Sequence, residues 1–523
     1  MLHSRPVRAA IIVCLLATLG AAAGGGCRRL ALPKPGGALA IGYIGPAVRL
    51  DPLLAEGLDW PRQLVFDNLV TLDPAGEYVP ALATSWSLQD DGRRLTFVLR
   101  DGVKFHDGTP CDAEAVKFSL DRTVAGGSGL AARFGTLKEV VAVDRLTVTL
   151  TFERPYPPIW EALASPAGAI VSPTQAKQLG DDFWKAPTGT GPYRVVSTSP
   201  AGRVELAVNA EYAWPPAFYR NRGRAYLDQV SFEPFPGGDE LREALANGRI
   251  DAVASGAAAG DSRNHRVFEY FEPTLFYLAF NVRRAPWDNV DLRRALAQAI
   301  DPVAVAAAGG NPRLAPSRSS LPPGVYGHAK EAVGALPLPG STKAEAALEA
   351  AGFVRGGGTG VRQRDNVPLA LTLLVPALPE SERAAAEVAR QLAQVGVKVD
   401  VRVRPLDQVL SATADGVYDA ALLNYAWDGP DVLFYFFHSS RVGRMNRTGY
   451  VDARLDLLLE VSTVAAAPAD RRAVAAEVQR LLAMDVPWLP LFTLVERAVF
   501  HQAVKGVGVG TGGRLYLHDA HRF

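Results

Sequence analysis

Cysteine is almost absent from this 523-residue chain, and other features that would indicate a function class are missing with it. The three cysteines, Cys14, Cys27 and Cys111, cannot form the disulfide framework of a small secreted domain. A formal net charge of +1 gives no reason to expect a nucleic-acid partner. Beyond the first 27 residues no apolar run is long enough for a transmembrane helix. At about 150 residues per domain, a chain of this length predicts two to four globular domains.

The common catalytic motifs are missing as well. There is no His-Glu-x-x-His, no Cys-x-x-Cys, and no Gly-x-Ser-x-Gly between a strand and a helix. The glycine-rich segment Gly189–Tyr193 (GTGPY) continues into a predicted strand rather than a helix, which argues against a phosphate-binding loop. The eight histidines are scattered along the sequence, so they indicate no metal site. We therefore expect neither an enzyme nor a bound cofactor.

The first 27 residues have the composition of a signal peptide. A basic start with Arg5 and Arg8 precedes the apolar run 9–19, and small residues then lead to Cys27. This order resembles a lipoprotein signal, in which the cysteine is lipidated and becomes the new N-terminus, although Gly24 replaces the usual leucine. Lipidation at Cys27 would give a tether, and cleavage elsewhere would leave a free thiol. Either alternative predicts export, with residues 28–37 as a linker.

The stretch 80–122 is the most strongly patterned part of the chain. Apolar and polar residues alternate over Arg94–Leu99, as in a half-buried strand, and Val103 to Phe105 continue the pattern as a second strand. A helix is expected to open at Thr109. Tight turns are predicted at three Asp-Gly pairs, because glycine adopts the positive φ that such turns need: residues 91–92, 101–102 and 107–108.

The same stretch resembles a known family. The string WSLQDDGRRLTFVLRDGVKFHDGTP (86–110) is similar to the signature segment of the family 5 extracellular solute-binding proteins, the oligopeptide, dipeptide and nickel receptors of ABC importers. Leu50–Pro52 (LDP), Gly189–Tyr193 (GTGPY) and the segment around Asn281 also resemble family motifs. The resemblance implies a monomeric receptor with permease and ATPase partners.

Strand and helix patterns predict an α/β fold with two lobes. Strand–helix–strand units occur on both sides of Asn281, and such units indicate parallel sheets. With the resemblance, this predicts a two-lobed periplasmic-binding-protein fold (class II-like) with an additional α+β subdomain and a ligand cleft between the lobes. The expected division is lobe 1 at 38–68, 188–279 and 493–523, the small subdomain at 69–187, and lobe 2 at 280–492.

The best candidate for a ligand anchor follows the predicted strand 418–425. Ligands of parallel sheets bind beyond the carboxyl ends of strands, and this strand ends in Tyr425, Trp427 and Asp428. A carboxylate flanked by aromatic rings suits a ligand ammonium. The resemblance implies that Asp428 binds the α-amino group of a peptide, although Gly429 and Val432 depart from the family pattern. The alternative is that Asp428 only caps an Asp-Gly turn.

Three further residues are predicted at the cleft or hinge. Trp60 follows a loop of the other lobe and could close over a ligand, while Tyr277 and Asn281 lie on the presumed hinge strand. For each of them packing in the core is the alternative. The family position for an arginine that holds a dipeptide carboxylate corresponds to 375–377, where no arginine occurs, so longer peptides fit better than dipeptides.

These observations predict an exported receptor that binds a peptide-like solute by hinge closure. The alternatives are the same fold with another solute (a nickel chelate, haem or a sugar), a surface or chaperone-like protein without a role in transport, and a secreted hydrolase.

Overall fold

The structure is a computed structural model that describes residues 33–54, 58–126, 129–255, 263–358 and 360–522. The predicted signal peptide with Cys27 lies outside the described residues. No helix within these ranges is long and apolar enough to cross a membrane.

The strands of the described chain vary from two to sixteen residues. In chain order they are β1 (Ala38–Ile44), β2 (Val70–Leu72), β3 (Tyr78–Pro80), β4 (Ala83–Gln89), β5 (Arg94–Leu99), β6 (Leu137–Asp144), β7 (Thr147–Phe152), β8 (Tyr193–Thr198), β9 (Val204–Val208), β10 (Gln229–Phe235), β11 (Ala252–Val253), β12 (His265–Phe280), β13 (Leu314–Pro316), β14 (Val354–Arg355), β15 (Arg362–Arg364), β16 (Val367–Pro368), β17 (Ala370–Pro376), β18 (Lys398–Arg404), β19 (Ala420–Ala426), β20 (Trp488–His501), β21 (Val504–Lys505), β22 (Gly508–Val509), β23 (Leu515–Tyr516) and β24 (His521–Arg522).

The α-helices alternate with these strands. In chain order they are α1 (Trp60–Val65), α2 (Ala113–Ala125), α3 (Ile159–Leu163), α4 (Pro173–Leu179), α5 (Gly238–Ala246), α6 (Val290–Ala299), α7 (Pro302–Ala308), α8 (Ser341–Ala350), α9 (Pro379–Gln394), α10 (Leu406–Asp415), α11 (Val432–Phe437), α12 (Ala453–Ser462) and α13 (Pro468–Asp485).

One large sheet extends through both lobes in the order β18-β17-β19-β12-β20-β11-β1-β10-β9-β8, with β13 beside β20. At one end β1 is parallel to both β10 and β11, and α5 connects those two strands. At the other end β17 is parallel to β18 and β19. Each end is therefore a strand–helix–strand unit, as the sequence predicts for an α/β protein.

The antiparallel strands β12 and β20 connect the two ends of this sheet. Residues 265–271 of β12 pair with 495–501 of β20, and residues 275–279 pair with 488–493 of the same strand. The register shifts between these two halves, at residues 272–274. From Thr274 onward β12 also pairs with β19 on its other side, while the predicted lobe division follows residue 279.

The buried side chains form three bodies. Lobe 1 surrounds β1 and β8–β11, with Ile41, Phe232 and Phe500 in its core. The small domain contains the sheet β4-β5-β7-β6 with α2 and α3, packed around Phe97 and Trp160. Lobe 2 surrounds β17–β19 and has a core on each face of its sheet.

The patterned stretch 80–122 folds largely as predicted. The apolar residues of β5 are buried, and Gly92, Gly102 and Gly108 have φ values of 85°, 75° and 83°. Two expectations are wrong. Residues 103–105 form only an isolated bridge between Lys104 and Pro110, because Val103 and Phe105 reach the core from a turn. The helix begins at Ala113, where the Asp112 carboxylate accepts a hydrogen bond from the Ala115 amide.

Candidate functional site

The three bodies meet around one cleft. A cavity of about 380 Å³ lies there, and its walls come from all three bodies. A solute held in it would contact both lobes. The polar and aromatic lining side chains include Asp59, Trp60, Gln63, Tyr270 and Arg514 of lobe 1, Tyr78 and Glu161 of the small domain, and Tyr326 and Asp428 of lobe 2.

Asp428 follows β19 and lines this cleft. Its side chain is 48% exposed and forms an ion pair with Arg133 of the small domain. The carboxylate predicted to face a ligand cation therefore already faces a cation of the protein. Exposed ion pairs contribute only about 0–1 kcal/mol, so a ligand ammonium can replace the Arg133 guanidinium at little cost.

The two tryptophans predicted at the ligand site, Trp60 and Trp427, differ in their contacts. Trp60 lines the cleft, although it is only 2% exposed, and its Nε1 donates a hydrogen bond to the Gly513 carbonyl at 2.5 Å. Trp427 is half-buried, and its Nε1 donates to Asp431 Oδ2 at 3.1 Å. Trp60 thus contributes the edge of its ring to the cleft wall, whereas Trp427 supports the turn that carries Asp428.

The other three predicted residues lie in the core of lobe 2. The Tyr425 hydroxyl donates to the Ser320 carbonyl at 2.5 Å, and the Tyr277 ring packs 4.0 Å from the ring of Trp488. Asn281 Nδ2 donates to the carbonyls of Gly416 and Tyr418 at 2.9 and 3.0 Å. Each of the three is at most 6% exposed. Their predicted contact with a ligand finds no support in this arrangement.

A buried charge cluster joins the small domain to lobe 2 beside the cleft. Arg471 is 1% exposed, and its Nη1 donates to both carboxylate oxygens of Glu161 at 2.5 and 2.7 Å. Its Nη2 donates to Asp431 at 3.3 Å. Burial raises the pKa of Glu161 to about 7, although Arg471 acts in the opposite direction. Burial also raises the pKa of Asp431.

Sequence reasoning missed Arg133, Arg471 and Arg514. Arg133 and Arg471 meet partners that are about 300 positions away in the chain, so no local spacing indicates either contact. Arg514 follows Gly512 and Gly513 in a tail that shows no helical or strand periodicity. The one signal in the sequence that could have suggested Arg514 is a charged residue within this glycine-rich tail.

The described residues contain no group of three histidine, cysteine or carboxylate side chains arranged to hold a metal ion. His106 and His438 each have their own hydrogen-bond partner. His106 Nε2 bonds to the Gly191 carbonyl at 2.9 Å, and His438 Nδ1 bonds to the Ser440 hydroxyl at 2.8 Å.

Comparisons with known proteins agree with this architecture. The profile of the bacterial extracellular solute-binding proteins, family 5, matches residues 77–446. The glutathione-binding protein GsiB of Escherichia coli (strain K12) is 26% identical over 465 residues, which cover 83% of this chain and 84% of that protein. The probable D,D-dipeptide-binding periplasmic protein DdpA of the same strain is 26% identical over 498 residues, covering 91% and 92%.

A solved structure extends the agreement to the fold. The unliganded open form of the periplasmic murein tripeptide-binding protein MppA superimposes with a TM-score of 0.79 at 21% identity, covering 94% of this chain and 98% of that chain. Because the family profile covers most of the chain and the two-lobed fold agrees with it, this chain belongs to the family 5 bacterial extracellular solute-binding proteins.

Proposed function

We propose that this protein is the exported receptor of an ABC importer and that it binds a peptide-like solute by closing its two lobes. The observation that carries the proposal is the cavity of about 380 Å³ lined by both lobes, into which Asp428 projects from lobe 2. A ligand that contacts both lobes binds the closed state better and so shifts the population toward it. The relatives named for glutathione and D,D-dipeptide binding support a peptide-like ligand.

In this proposal Asp428 binds the ammonium group of the solute. The ammonium replaces the Arg133 guanidinium, and lobe closure then removes water from the new ion pair. An ion pair that is shielded from water is stronger than an exposed one, because the effective dielectric constant falls. Tyr78 and Tyr326, whose rings are 4.8 Å apart on the cleft wall, supply apolar surface for the rest of the solute.

Two experiments test this function. Mass spectrometry of the solute that co-purifies with the protein should identify a peptide or a peptide-like compound. In calorimetry with that solute, Asp428→Asn should weaken binding by about 1.5–3 kcal/mol, the range for a hydrogen bond to a charged group. The exposed Asp101, paired with Arg145, provides the matched control Asp101→Asn, which should leave the affinity unchanged. Arg133→Gln should strengthen binding because it frees Asp428. Unchanged affinity in Asp428→Asn would remove Asp428 from the site.

The remaining expectations complete the proposal. Lipidation of Cys27 would hold the receptor, a monomer, at the outer face of the membrane beside its permease and ATPase subunits. Release of a Cys27→Ser variant from the membrane fraction would support the anchor, and retention there would argue against it.

We further propose that lobe 1 comprises 38–68, 188–279 and 493–523, the small domain 69–187, and lobe 2 280–492. Limited proteolysis should cut near these boundaries, and cuts confined to other regions would refute the division.

A further inference from the structure

We propose that Arg514 binds a carboxylate of the solute, so that the cleft selects a solute carrying both a cationic and an anionic group. This inference rests on the proposed receptor function and names the ligand class of the same cleft. Among the described residues, the charged side chains on the cleft wall are three carboxylates, Asp59, Glu161 and Asp428, and one cation, Arg514.

Each of the three lining carboxylates already has an arginine partner. Asp59 pairs with Arg62 at 2.8 Å, Glu161 pairs with Arg471 at 2.5 Å, and Asp428 pairs with Arg133. None of these three arginines is itself part of the cleft wall. Each carboxylate of the wall therefore has an arginine of the protein as its ion-pair partner, and Arg471 is shared between Glu161 and the buried Asp431.

Arg514 differs from those arginines. Its Nη1 donates to the Thr71 hydroxyl at 3.1 Å and its Nη2 donates to the Ala164 carbonyl, both of which are neutral acceptors. Within the described part of the chain no carboxylate lies within 4 Å of its guanidinium. A guanidinium has five N–H donors, so Arg514 keeps donors for a carboxylate. Among the described residues that line the cleft, Arg514 is thus the charged side chain without an ion-pair partner.

The backbone around Arg514 is fixed, which prepares the side chain for binding. The Leu515 amide donates to Gln63 Oε1 at 3.0 Å, and the Tyr516 hydroxyl donates to the Leu72 carbonyl at 3.1 Å. These bonds attach the segment to α1 and to the small domain. Preorganisation of this kind lowers the entropy lost when a ligand binds.

A second cavity lies behind Arg514. It measures about 70 Å³, and its wall includes Arg514 and Arg62, the carboxylates Asp59 and Asp67, and the buried His518. A polar cavity of this size can hold ordered water. The guanidinium therefore lies between the main cleft and a small polar chamber.

The two charged anchors of the cleft lie on different lobes, which couples binding of the solute to lobe closure. Arg514 belongs to lobe 1, whereas Asp428 belongs to lobe 2. A solute with an ammonium and a carboxylate would engage one lobe with each group, and so would favour closure more than a solute with one charge.

The test compares three peptides that differ only at their ends: tri-alanine, its C-terminal amide and N-acetyl-tri-alanine. The wild-type protein should bind tri-alanine at least about tenfold more tightly than the amide in calorimetry, as expected for a lost charge-assisted bidentate bond. Arg514→Gln should reduce this preference to about onefold, whereas the control Arg145→Gln, an exposed arginine paired with Asp101, should retain it. The comparison in the wild-type protein needs no variant, so it decides the question even if Arg514→Gln fails to fold.

The outcomes separate this inference from the receptor function. Equal binding of tri-alanine and its amide by the wild-type protein would overturn the role of Arg514 and leave the receptor function standing. A preference that survives in Arg514→Gln would have the same meaning. If none of the three peptides binds, the peptide-receptor proposal fails and the role of Arg514 fails with it.

Discussion

Asn281 provides a test of how the protein uses polar residues at the end of β12. Its amide bridges the carbonyls of Gly416 and Tyr418, and its Oδ1 accepts a hydrogen bond from the Arg283 amide at 3.3 Å. Asn281→Ala would leave these buried groups without partners, which costs about 1–3 kcal/mol of folding free energy. We expect a lower melting temperature and an unchanged affinity for the co-purified solute.

The control for this prediction is Asn424→Ala on the neighbouring strand. Asn424 is exposed, so its substitution should change stability by less than about 0.5 kcal/mol. If Asn281→Ala instead weakened solute binding tenfold without lowering the melting temperature, Asn281 would be a ligand residue, as the sequence suggested.

At the scale of single residues, the sequence indicated Asp428 because it follows the carboxyl end of an apolar strand and has aromatic neighbours. It could not separate Tyr277 and Tyr425 from a ligand site, since an aromatic residue near a strand end fits either role. The structure explains their burial: the sheet of lobe 2 is covered on both faces, so alternate residues of β12 enter two different cores. The partners of Asp428 and Glu161 required the tertiary fold.

At the scale of elements, the strongest patterns were predicted best. The apolar segments Ala38–Ile44, 369–375, 397–403 and 418–425 coincide with β1 and β17–β19 within two residues. Prediction was poorer where a segment reaches the core without strand pairing, as at residues 103–105.

The buried ion pairs of Arg471, which join α13 to α3, can be tested by substitution. Arg471→Met would leave Glu161 and Asp431 buried without their cation, and removing one partner of a buried ion pair costs roughly 3–5 kcal/mol. Thermal unfolding should therefore begin at a lower temperature. Arg480→Met on the same helix is the control, because Arg480 is 38% exposed and its pair with Glu477 contributes little.

The effect of Arg471→Met should depend on pH. The pKa of Glu161 is raised in the folded state, from an ordinary value of 4.5 to about 7, so its favourable contribution is complete below 4.5 and is lost as the pH rises through 7. Loss of the arginine raises this pKa further, because the carboxylate then lacks its cation. The variant should consequently lose more stability at pH 8 than at pH 5. Equal losses at both pH values would show that the charge of Glu161 is unimportant for this contact.

At the scale of the whole molecule, β12 and β20 connect the lobes, and their register shifts at residues 272–274, where β19 begins to pair with β12. Pro273 lies in this segment and faces the cleft, and its carbonyl accepts a hydrogen bond from the Trp427 amide at 2.8 Å. A rotation of the lobes about this point would therefore move the turn that carries Asp428. The interleaving of three bodies along one chain was expected only through the resemblance, because local periodicity shows elements and not which body each one joins.

This geometry predicts that closure requires both charged anchors. Saturating tri-alanine should lower the radius of gyration of the wild-type protein in small-angle X-ray scattering, because the solute draws Asp428 and Arg514 together across the cleft. The double variant Asp428→Asn/Arg514→Gln should keep its unliganded radius of gyration even at peptide concentrations that saturate its cleft. Asn281→Ala, which alters only the core of lobe 2, should close like the wild-type protein. A double variant that compacts as much as the wild-type protein would mean that apolar contacts alone drive closure, since neither charge would then bias the equilibrium between the open and closed states.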